Sequence, residues 1–462
     1  WYVNPDRPFS SRICYELETA YYMANEGRKG PVWIDIPLDL QNARIEETQL
    51  EHFEIPKKAG CVNQQDISYV MREMEMSQRP VFLIGSGVKS AGADKILRQL
   101  AQAKNIPVTY SASAADTMGA GEEVSIGTVG AMGGSRAGNF AVQNADLVLA
   151  VGCRLTSMIT SDQYSKFARD AKVIVIDIDP LEHEKKSVKI DRLITADAGE
   201  FLQNLMDAGV GKNYRKWMEK CLHWKEIFPV CEDVFRQSSC LDLYEIAEII
   251  TEYMPEDGVV ITDAGLEELI LPSSIRLKDG QRIVHPNAQG AMGFALPAAV
   301  GAAAALCRPI CVFVGDGSFM FNMQELQTIR YHDLPISIFI NNNNGYATIC
   351  RRQRDLFRRR TIGNNAADGL GLPDFEKVAA AFEIPYERIL DRDALAEAVQ
   401  DRKNFEGPMI YEIGGNPDQK YIHSSYARNA ERKIVHRPLE DQSPYLGRNI
   451  FLDEMIVEPI DQ

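Results

Sequence analysis

Short apolar runs alternate with amphipathic stretches along most of this chain. The apolar runs favour buried strands, and the stretches between them repeat apolar residues at helical spacing. We expect strands at 81–84, 107–110, 147–151, 173–178, 259–262, 310–314, 336–340 and 409–413. We expect helices at 10–25, 64–76, 91–104, 241–253 and 291–306. This alternation predicts an α/β fold made of parallel-sheet domains with helices on both faces.

The same pattern divides the chain into blocks. Residues 1–45 contain a helix and an apolar segment, 32–36, which we predict to be the last helix and strand of an α/β unit whose front is missing. A charged, proline-bearing linker follows. Residues 66–210 are predicted to form a central α/β domain, and residues 235–430 a third α/β block. Residues 431–462 are predicted to be a polar, irregular tail that folds back over the body.

Two polar side chains follow neighbouring apolar runs of the third block. Asp316 comes after the run 310–314 and Gly315, and Asn343 comes after the run 336–340. Parallel strands joined by one crossover place their carboxyl ends at the same edge of a sheet, where open α/β folds bind ligands. One carboxylate and one amide oxygen suit Mg²⁺, which keeps other coordination positions for water and phosphate. The pair therefore predicts a magnesium site that holds a diphosphate.

The residues around Asp316 also suit a diphosphate. Gly315 and Gly317 let the backbone approach a phosphate without a Cβ in the way. Ser318 and the amides after it open a predicted helix, whose N-terminus would attract anions. That helix is expected to pack on the core through Met320, Met323, Leu326 and Ile329. A lone Gly-Asp-Gly is also ordinary turn chemistry, but the second strand with Asn343 favours the diphosphate site.

These motifs resemble a known family. Gly-Asp-Gly-Ser followed one crossover later by an asparagine run is similar to the thiamin-diphosphate signature. Segments 30–41, 290–302 and 315–328 resemble the catalytic subunit of the acetolactate (acetohydroxyacid) synthases, and segments 344–351 and 437–446 resemble sugar-modifying relatives. The resemblance covers nearly the whole chain and implies a thiamin-diphosphate-binding fold whose first domain is mostly missing.

The resemblance implies roles for further residues. Met292 matches the apolar residue that holds the cofactor in a bent shape, and Gly290 matches a backbone carbonyl that meets the pyrimidine amine. Gly345 matches a residue whose backbone carbonyl binds the metal. The predicted cofactor-binding residues are Gln289, Gly290, Met292, Gly315, Gly317, Ser318 and Tyr346, and the predicted metal ligands are Asp316, Asn343 and Gly345. The alternative for Met292 and Tyr346 is ordinary packing.

The chain departs from the family pattern at two places. Leu266, Glu267 and Glu268 stand where the family holds the diphosphate with glutamine and histidine, and two carboxylates would repel it unless they point away. Asp263, just before them, is expected to cap the loop or face the substrate. The family's catalytic glutamate belongs to the first domain, so we expect the base outside this chain and expect the chain alone to be inactive.

The central domain of the acetolactate synthases carries FAD in a structural role. Here Arg154 matches a family arginine, whereas 155–161 departs from the family's pattern. A glycine turn at 85–87 is a weak nucleotide-binding signal, and the glycines within 127–138 could approach a diphosphate. FAD binding and an empty relic domain that only braces the others are both left open.

Composition limits the partners. The chain has 50 Lys and Arg against 65 Asp and Glu, a formal charge of −15, which argues against nucleic acid or an anionic membrane. Nine cysteines without a Cys-x-x-Cys pair favour reduced thiols and a cytoplasmic location. No apolar run reaches the roughly 18 residues of a membrane helix. A half-built first domain predicts exposed apolar surface, and therefore a homodimer or homotetramer.

The expected function is that of an acetolactate synthase-like transferase. Pyruvate or a similar 2-keto acid would lose CO₂ with the help of thiamin diphosphate and Mg²⁺ and be joined to a second carbonyl. That carbonyl belongs to a second pyruvate or to a keto-sugar nucleotide. The alternatives are simple 2-keto acid decarboxylation and a non-catalytic cofactor-binding scaffold.

Overall fold

The computed structural model of the protein describes residues 9–56, 62–119, 121–401 and 405–460. The first eight residues of the predicted segment 1–45 and the last two of the predicted tail lie outside these ranges. The described residues form two six-stranded parallel sheets with helices packed on both faces. The α/β prediction is therefore confirmed.

The first sheet lies in the first half of the chain. Its strands are β1 (Pro80–Ile84), β2 (Val108–Tyr110), β3 (Ser125–Thr128), β4 (Leu147–Val151), β5 (Lys172–Asp177) and β6 (Arg192–Thr195), in the order β3-β2-β1-β4-β5-β6. The α-helices of this half are α1 (Phe9–Asn25), α2 (Leu38–Gln41), α3 (Gln64–Met76), α4 (Ser86–Ser90), α5 (Asp94–Lys104), α6 (Arg136–Gln143), α7 (Ser157–Thr160), α8 (Ala198–Ala208) and α9 (Arg215–Ile227). Phe82 and Ile84 pack into one core, and Val81 and Leu83 pack into another on the opposite face. Burial on both faces explains the unbroken apolar runs of these strands.

The second sheet holds the two strands that precede Asp316 and Asn343. Its strands are β7 (Val259–Thr262), β8 (Arg282–Val284), β9 (Ile310–Gly315), β10 (Ile336–Asn342), β11 (Tyr386–Ile389) and β12 (Met409–Gly414), in the order β11-β12-β10-β9-β7-β8. Its α-helices are α10 (Leu243–Tyr253), α11 (Leu266–Ser274), α12 (Ala295–Leu306), α13 (Asp316–Phe319), α14 (Glu325–Tyr331), α15 (Ala347–Leu356), α16 (Phe375–Ala381) and α17 (Arg392–Gln400).

A stack of aromatic rings crosses the middle of this sheet. Phe339 of β10 stacks on Phe313 of β9 with ring centroids 4.7 Å apart, and on Tyr411 of β12 at 4.9 Å. Such pairs contribute about 0.5–1.5 kcal/mol each beyond their buried area. The stack favours the observed register, in which Phe339 lies directly opposite both rings.

The predicted strand at 32–36 is wrong. This segment is not paired with any strand in the described part of the chain, and Trp33 is 93% exposed. A strand requires a neighbour that completes its backbone hydrogen bonds, and apolar composition alone does not supply one.

Two predicted helices differ from the observed ones. The helix expected from 291 begins at Ala295, because Gly290 and Gly293 adopt left-handed φ angles of 58° and 83° that an α-helix does not contain. The helix expected after Gly-Asp-Gly is split into α13 and α14. Only Leu326 and Ile329 of its predicted core face are fully buried, and Met320 is 38% exposed.

The C-terminal segment is more ordered than an irregular tail. It contains the hairpin β13 (Tyr426–Arg428) and β14 (Ile434–His436) and the helix α18 (Arg448–Glu454). Between them, Gln442 is buried against the central domain, where it accepts a hydrogen bond from Asn139 Nδ2 at 2.8 Å. The Gln442 amide also donates to the carbonyls of Gly130 and Ala131 at 3.0 and 3.2 Å. The predicted fold-back is therefore a specific polar contact.

Composition had also suggested free thiols and no membrane span. The eight cysteines in the described ranges are free. No helix within those ranges combines the length and the apolar character that a bilayer crossing requires.

Replacing Gln442 tests the contribution of the C-terminal contact to stability. Gln442→Leu removes one hydrogen bond each from the Asn139 amide and from the carbonyls of Gly130 and Ala131, which keep other partners. Because three buried hydrogen bonds are lost, we expect the free energy of unfolding to fall by about 2–3 kcal/mol. Urea unfolding measures this, with the exposed Gln400→Leu as the matched control. Equal stabilities of the two variants would show that the contact contributes little.

Candidate cofactor and metal site

Asp316 and Asn343 meet at one edge of the second sheet. β9 and β10 are adjacent and parallel, and Asn341 pairs with Gly315, the last residue of β9. Asp316 is therefore the first residue beyond β9, and Asn343 the first beyond β10. The structure therefore brings the two strand ends together, as the sequence predicted.

Asp316 is held by the backbone of both strand ends. Its Oδ1 accepts a hydrogen bond from the Gly317 N–H at 2.6 Å, and its Oδ2 accepts one from the Gly345 N–H at 3.0 Å. Burial nevertheless raises the pKa of Asp316 to about 6. A cation beside the carboxylate would favour its charged form and lower this pKa again.

Asn343 brings an unpaired oxygen to the same place. Its Oδ1 is buried and has no hydrogen-bond partner within the described part of the chain. An unpaired buried acceptor costs roughly 1–3 kcal/mol, so such an atom indicates a missing ligand. The carbonyl of Gly345 accepts one hydrogen bond, from Ala347 at 3.1 Å, and has a second lone pair. Three oxygen donors in this arrangement fit Mg²⁺.

Gly345 is required by the packing of its loop. Its φ is 141°, and a Cβ there would lie 1.9 Å from the carbonyl oxygen of Asn364. Gly317 has a similar requirement, because a Cβ would lie 2.2 Å from Cε1 of Tyr346. Gly317 thus lets the ends of β9 and β10 approach, with the Tyr346 ring over it, and Gly345 lets the loop at Asn364 approach the end of β10.

These residues line one cleft of about 250 Å³. The predicted residues in its lining are Gly290, Met292, Gly315, Asp316, Gly317, Ser318, Asn343, Gly345 and Tyr346. Gln289 is the predicted site residue that is not in the lining, and it is exposed. The cleft therefore unites residues from β9, β10 and the turn before α12.

The helix that was expected to attract a phosphate is too short for that role. α13 has only four residues, so its aligned peptide dipoles are few. The side chain of Ser318 also lies close enough to the Asp263 carboxylate to oppose the rise of its pKa. Any attraction for a diphosphate at this end of β9 must come mainly from a bound cation and from close backbone approach.

Asp263 caps the turn before α12, as one of its two predicted roles requires. Its carboxylate accepts hydrogen bonds from the N–H groups of Ala264, Gly293 and Ala295 at 2.8, 3.0 and 2.8 Å. Burial raises the pKa of Asp263, and these N–H groups oppose that shift. The contact fixes the segment that carries Gly290 and Met292 against the end of β7.

Glu267 is turned into the protein beneath the end of β9. It is 3% exposed, and its Oε1 accepts a hydrogen bond from Asn341 Nδ2 at 2.7 Å. Burial raises the pKa of Glu267 to about 7, and the charge of Asp316 adds to the shift. The repulsion expected from the sequence is thus reduced, because this carboxyl is half-protonated near neutral pH. The sequence shows the asparagine run 341–344, but it did not predict that Asn341 is the hydrogen-bond partner of Glu267.

Glu268 lies near the turn before α12. A Cβ on Gly290 would be 3.2 Å from its Oε2, and burial raises the pKa of Glu268 to about 7. The segment after Gly265 therefore places one carboxyl near Gly315 and one beside Gly290.

The glycines that suggested FAD serve contacts within the protein. A Cβ on Gly85 would lie 2.2 Å from the Gly152 oxygen, and one on Gly133 would lie 1.7 Å from the Leu269 oxygen. Arg154 is 56% exposed and pairs with Glu182 at 2.9 Å. Backbone packing accounts for these two glycines and an ion pair for Arg154, so these residues do not by themselves support FAD binding.

Comparison with known proteins matches both sheets to one group of enzymes. Residues 67–205 match the thiamine pyrophosphate enzyme central domain, and residues 263–413 match the thiamine pyrophosphate enzyme C-terminal TPP binding domain. The chain is 30% identical to a probable acetolactate synthase large subunit of Methanocaldococcus jannaschii, over 87% of this chain and 69% of the relative. It is 30% identical to the acetolactate synthase isozyme 2 large subunit of Escherichia coli, over 86% and 70%. It is 29% identical to the acetolactate synthase large subunit of Porphyra purpurea, over 97% and 76%.

The raised pKa of Glu267 predicts a pH-dependent stability. In the unfolded chain this carboxyl ionises near 4.5, whereas the folded chain keeps the proton until about pH 7. The free energy of unfolding should therefore fall as pH rises between these values. Glu267→Gln keeps an acceptor for Asn341 and cannot ionise. Near pH 8 the free energy of unfolding of this variant should therefore exceed that of the wild type by roughly 2–3 kcal/mol, and near pH 5 by much less.

Urea unfolding of the metal-free protein at both pH values measures this difference. The exposed Glu387→Gln is the matched control and should shift stability equally at both. A Glu267→Gln effect that is independent of pH would contradict the assignment of Glu267 as a buried, proton-retaining acid.

Proposed function

This chain belongs to the thiamin-diphosphate-dependent enzymes related to the acetolactate synthase large subunits, and from that membership we propose that it joins pyruvate, or a similar 2-keto acid, to a second carbonyl with loss of CO₂. The observation that carries the proposal is the buried Oδ1 of Asn343, which has no partner among the described residues and belongs to the cleft that Asp316 also lines. Two such oxygens at adjacent strand ends suit the cation that anchors a diphosphate.

In this proposal the cleft residues divide into a metal set and a cofactor set. Asp316, Asn343 and the Gly345 carbonyl hold Mg²⁺. Gly315, Gly317 and Ser318 let the diphosphate approach the end of β9, and Tyr346 closes over Gly317. When bound, the thiazolium ring of thiamin diphosphate supplies an electron sink for the electron pair that CO₂ leaves behind.

Gly290 and Met292 are proposed to support the cofactor rings. Both line the cleft, and the hydrogen bonds from the Gly293 and Ala295 N–H groups to Asp263 hold their turn in place. Glu268 is beside this turn, 3.2 Å from where a Cβ on Gly290 would lie. A carboxyl with a pKa of about 7 at that position can hold or release a proton near neutral pH. Gln289, exposed outside the lining, has no role in this proposal.

The glutamate that activates the cofactor in this family is proposed to come from a pyrimidine-binding domain, either elsewhere in the full protein or in a second copy. An exposed apolar face on α1 and the segment after it supports association with such a domain. Its residues include Tyr21, 74% exposed, and Trp33, 93% exposed. A face of this kind marks an interaction surface, and a homodimer or homotetramer is the proposed assembly.

Product analysis with pyruvate alone tests the proposed reaction. The full-length protein loaded with thiamin diphosphate and Mg²⁺ should release CO₂ and form acetolactate, which NMR identifies, and removal of Mg²⁺ with EDTA should abolish the reaction. Acetaldehyde as the sole product would favour the decarboxylase alternative. No consumption of pyruvate would leave the non-catalytic scaffold.

Replacing Asn343 tests the metal set separately from turnover. Asn343→Leu removes the unpaired oxygen, so the Mg²⁺-dependent affinity for thiamin diphosphate should fall by at least about tenfold. Calorimetric titration measures this. The control is Asn344→Gly, an exposed asparagine in the same loop whose φ of 63° glycine adopts readily. Equal affinities for the two variants would contradict the ligand role of Asn343.

A further inference from the structure

A second pocket, rich in arginine, lies beside the cofactor cleft. It has a volume of about 640 Å³, and its cationic lining residues are Arg351, Arg354, Arg359 and Lys420. We refer to these four residues as the arginine pocket. The acidic residues in the same lining are Asp355 and Asp418. Four cations against two carboxylates give an excess of two positive charges, 4 − 2, in a chain whose net charge is −15.

The arginine pocket adjoins the cofactor cleft. Leu266 and Ala347 line both cavities. Ala347 begins α15 directly after Tyr346, and the arginines follow on that helix and just beyond it. A substrate that extends past Leu266 and Ala347 from the proposed cofactor site would therefore meet the arginine pocket.

Arg351 has a buried donor that no described residue pairs with. Its Nη1 is buried and makes no hydrogen bond within the described part of the chain, while its guanidinium lies 5.0 Å from the centre of the Tyr421 ring. The ring positions the guanidinium by a cation–π contact and leaves its N–H groups available. An unpaired buried donor of this kind is satisfied by an anion.

Charge and geometry together indicate the class of anion. Arg354 already pairs with Asp418 at 2.7 Å, so Arg351, Arg359 and Lys420 supply the remaining positive charge. A carboxylate has one negative charge, whereas a phosphate ester has close to two and three oxygens for several donors. Guanidinium groups match phosphate oxygens in a two-pronged geometry.

We propose that the arginine pocket binds the phosphate group of the acceptor substrate, so that the acceptor is a phosphorylated carbonyl compound. This rests on the proposed carboligation. The C1–C2 bond of the 2-keto acid breaks and CO₂ leaves. A bond forms between C2 and the acceptor carbonyl carbon, and the acceptor oxygen takes up a proton. The phosphate is unchanged and serves to position the acceptor.

Paired acceptors test the proposal. With the full-length protein loaded with thiamin diphosphate and Mg²⁺ and pyruvate as donor, D-glyceraldehyde 3-phosphate should show a KM at least about tenfold below that of D-glyceraldehyde. Arg351→Met should remove this preference and leave the KM of D-glyceraldehyde nearly unchanged. Arg359→Met, at an exposed position where folding is not at risk, should weaken the preference.

The neighbouring Arg352 provides the matched control. It is on the same helix, is exposed and is not among the residues that line the arginine pocket. Arg352→Met should keep the preference for the phosphorylated acceptor. A preference lost equally in Arg351→Met and Arg352→Met, or absent in the wild type, would overturn the proposal.

Binding of inorganic phosphate separates this proposal from the proposed function. Calorimetric titration of the cofactor-loaded protein should show one phosphate site that Arg351→Met weakens and Arg352→Met does not. If phosphate binds in this way but pyruvate is not consumed, the anion site stands and the carboligation fails. If pyruvate reacts but phosphate binding does not depend on Arg351, the arginine pocket proposal fails. Phosphate binding could also depend on Arg351 and change the rate of pyruvate consumption while the enzyme shows no preference for a phosphorylated acceptor. That result would indicate an effector site and overturn the acceptor role.

Discussion

The parallel pairing of β9 with β10 is the constraint on which the site depends. It places Gly315 opposite Asn341, so the chain leaves both strands at the same level. The N–H of Gly345 then reaches the carboxylate of Asp316 at 3.0 Å. The stacked rings of Phe313 and Phe339 favour this register from within the sheet. A slip of one residue would turn Asp316 or Asn343 to the other face and separate the oxygens.

The site concentrates carboxyl groups that the fold stabilises only in part. Asp263, Glu267 and Asp316 are all buried, and burial raises the pKa of each. Backbone N–H groups hold Asp263 and Asp316, and Asn341 holds Glu267. A divalent cation would offset the charge that remains, which couples metal binding to the ionisation of the cluster. The arginine pocket next to it supplies the opposite charge where a second substrate would enter.

Sequence reasoning succeeded where the cause is local. The strand ends at Asp316 and Asn343 follow from apolar runs broken by glycine and asparagine, and a single crossover made their convergence predictable. Sequence reasoning failed where the position of a side chain depends on a hydrogen-bond partner far away in the sequence. Glu267 depends on Asn341, 74 positions away, and Gln442 on Asn139, 303 positions away. Apolar composition at 32–36 could not reveal that the segment has no strand partner among the described residues.

The proposed site requires one divalent ion to bridge the ends of β9 and β10. A crystal structure of the protein grown with thiamin diphosphate and Mg²⁺ would show whether it does. We expect an ion about 2.1 Å from an oxygen of Asp316 and from Oδ1 of Asn343, with the diphosphate also bound to it. A bound diphosphate whose ion lies elsewhere, or an Asn343 side chain turned away from the ion, would rule out this arrangement.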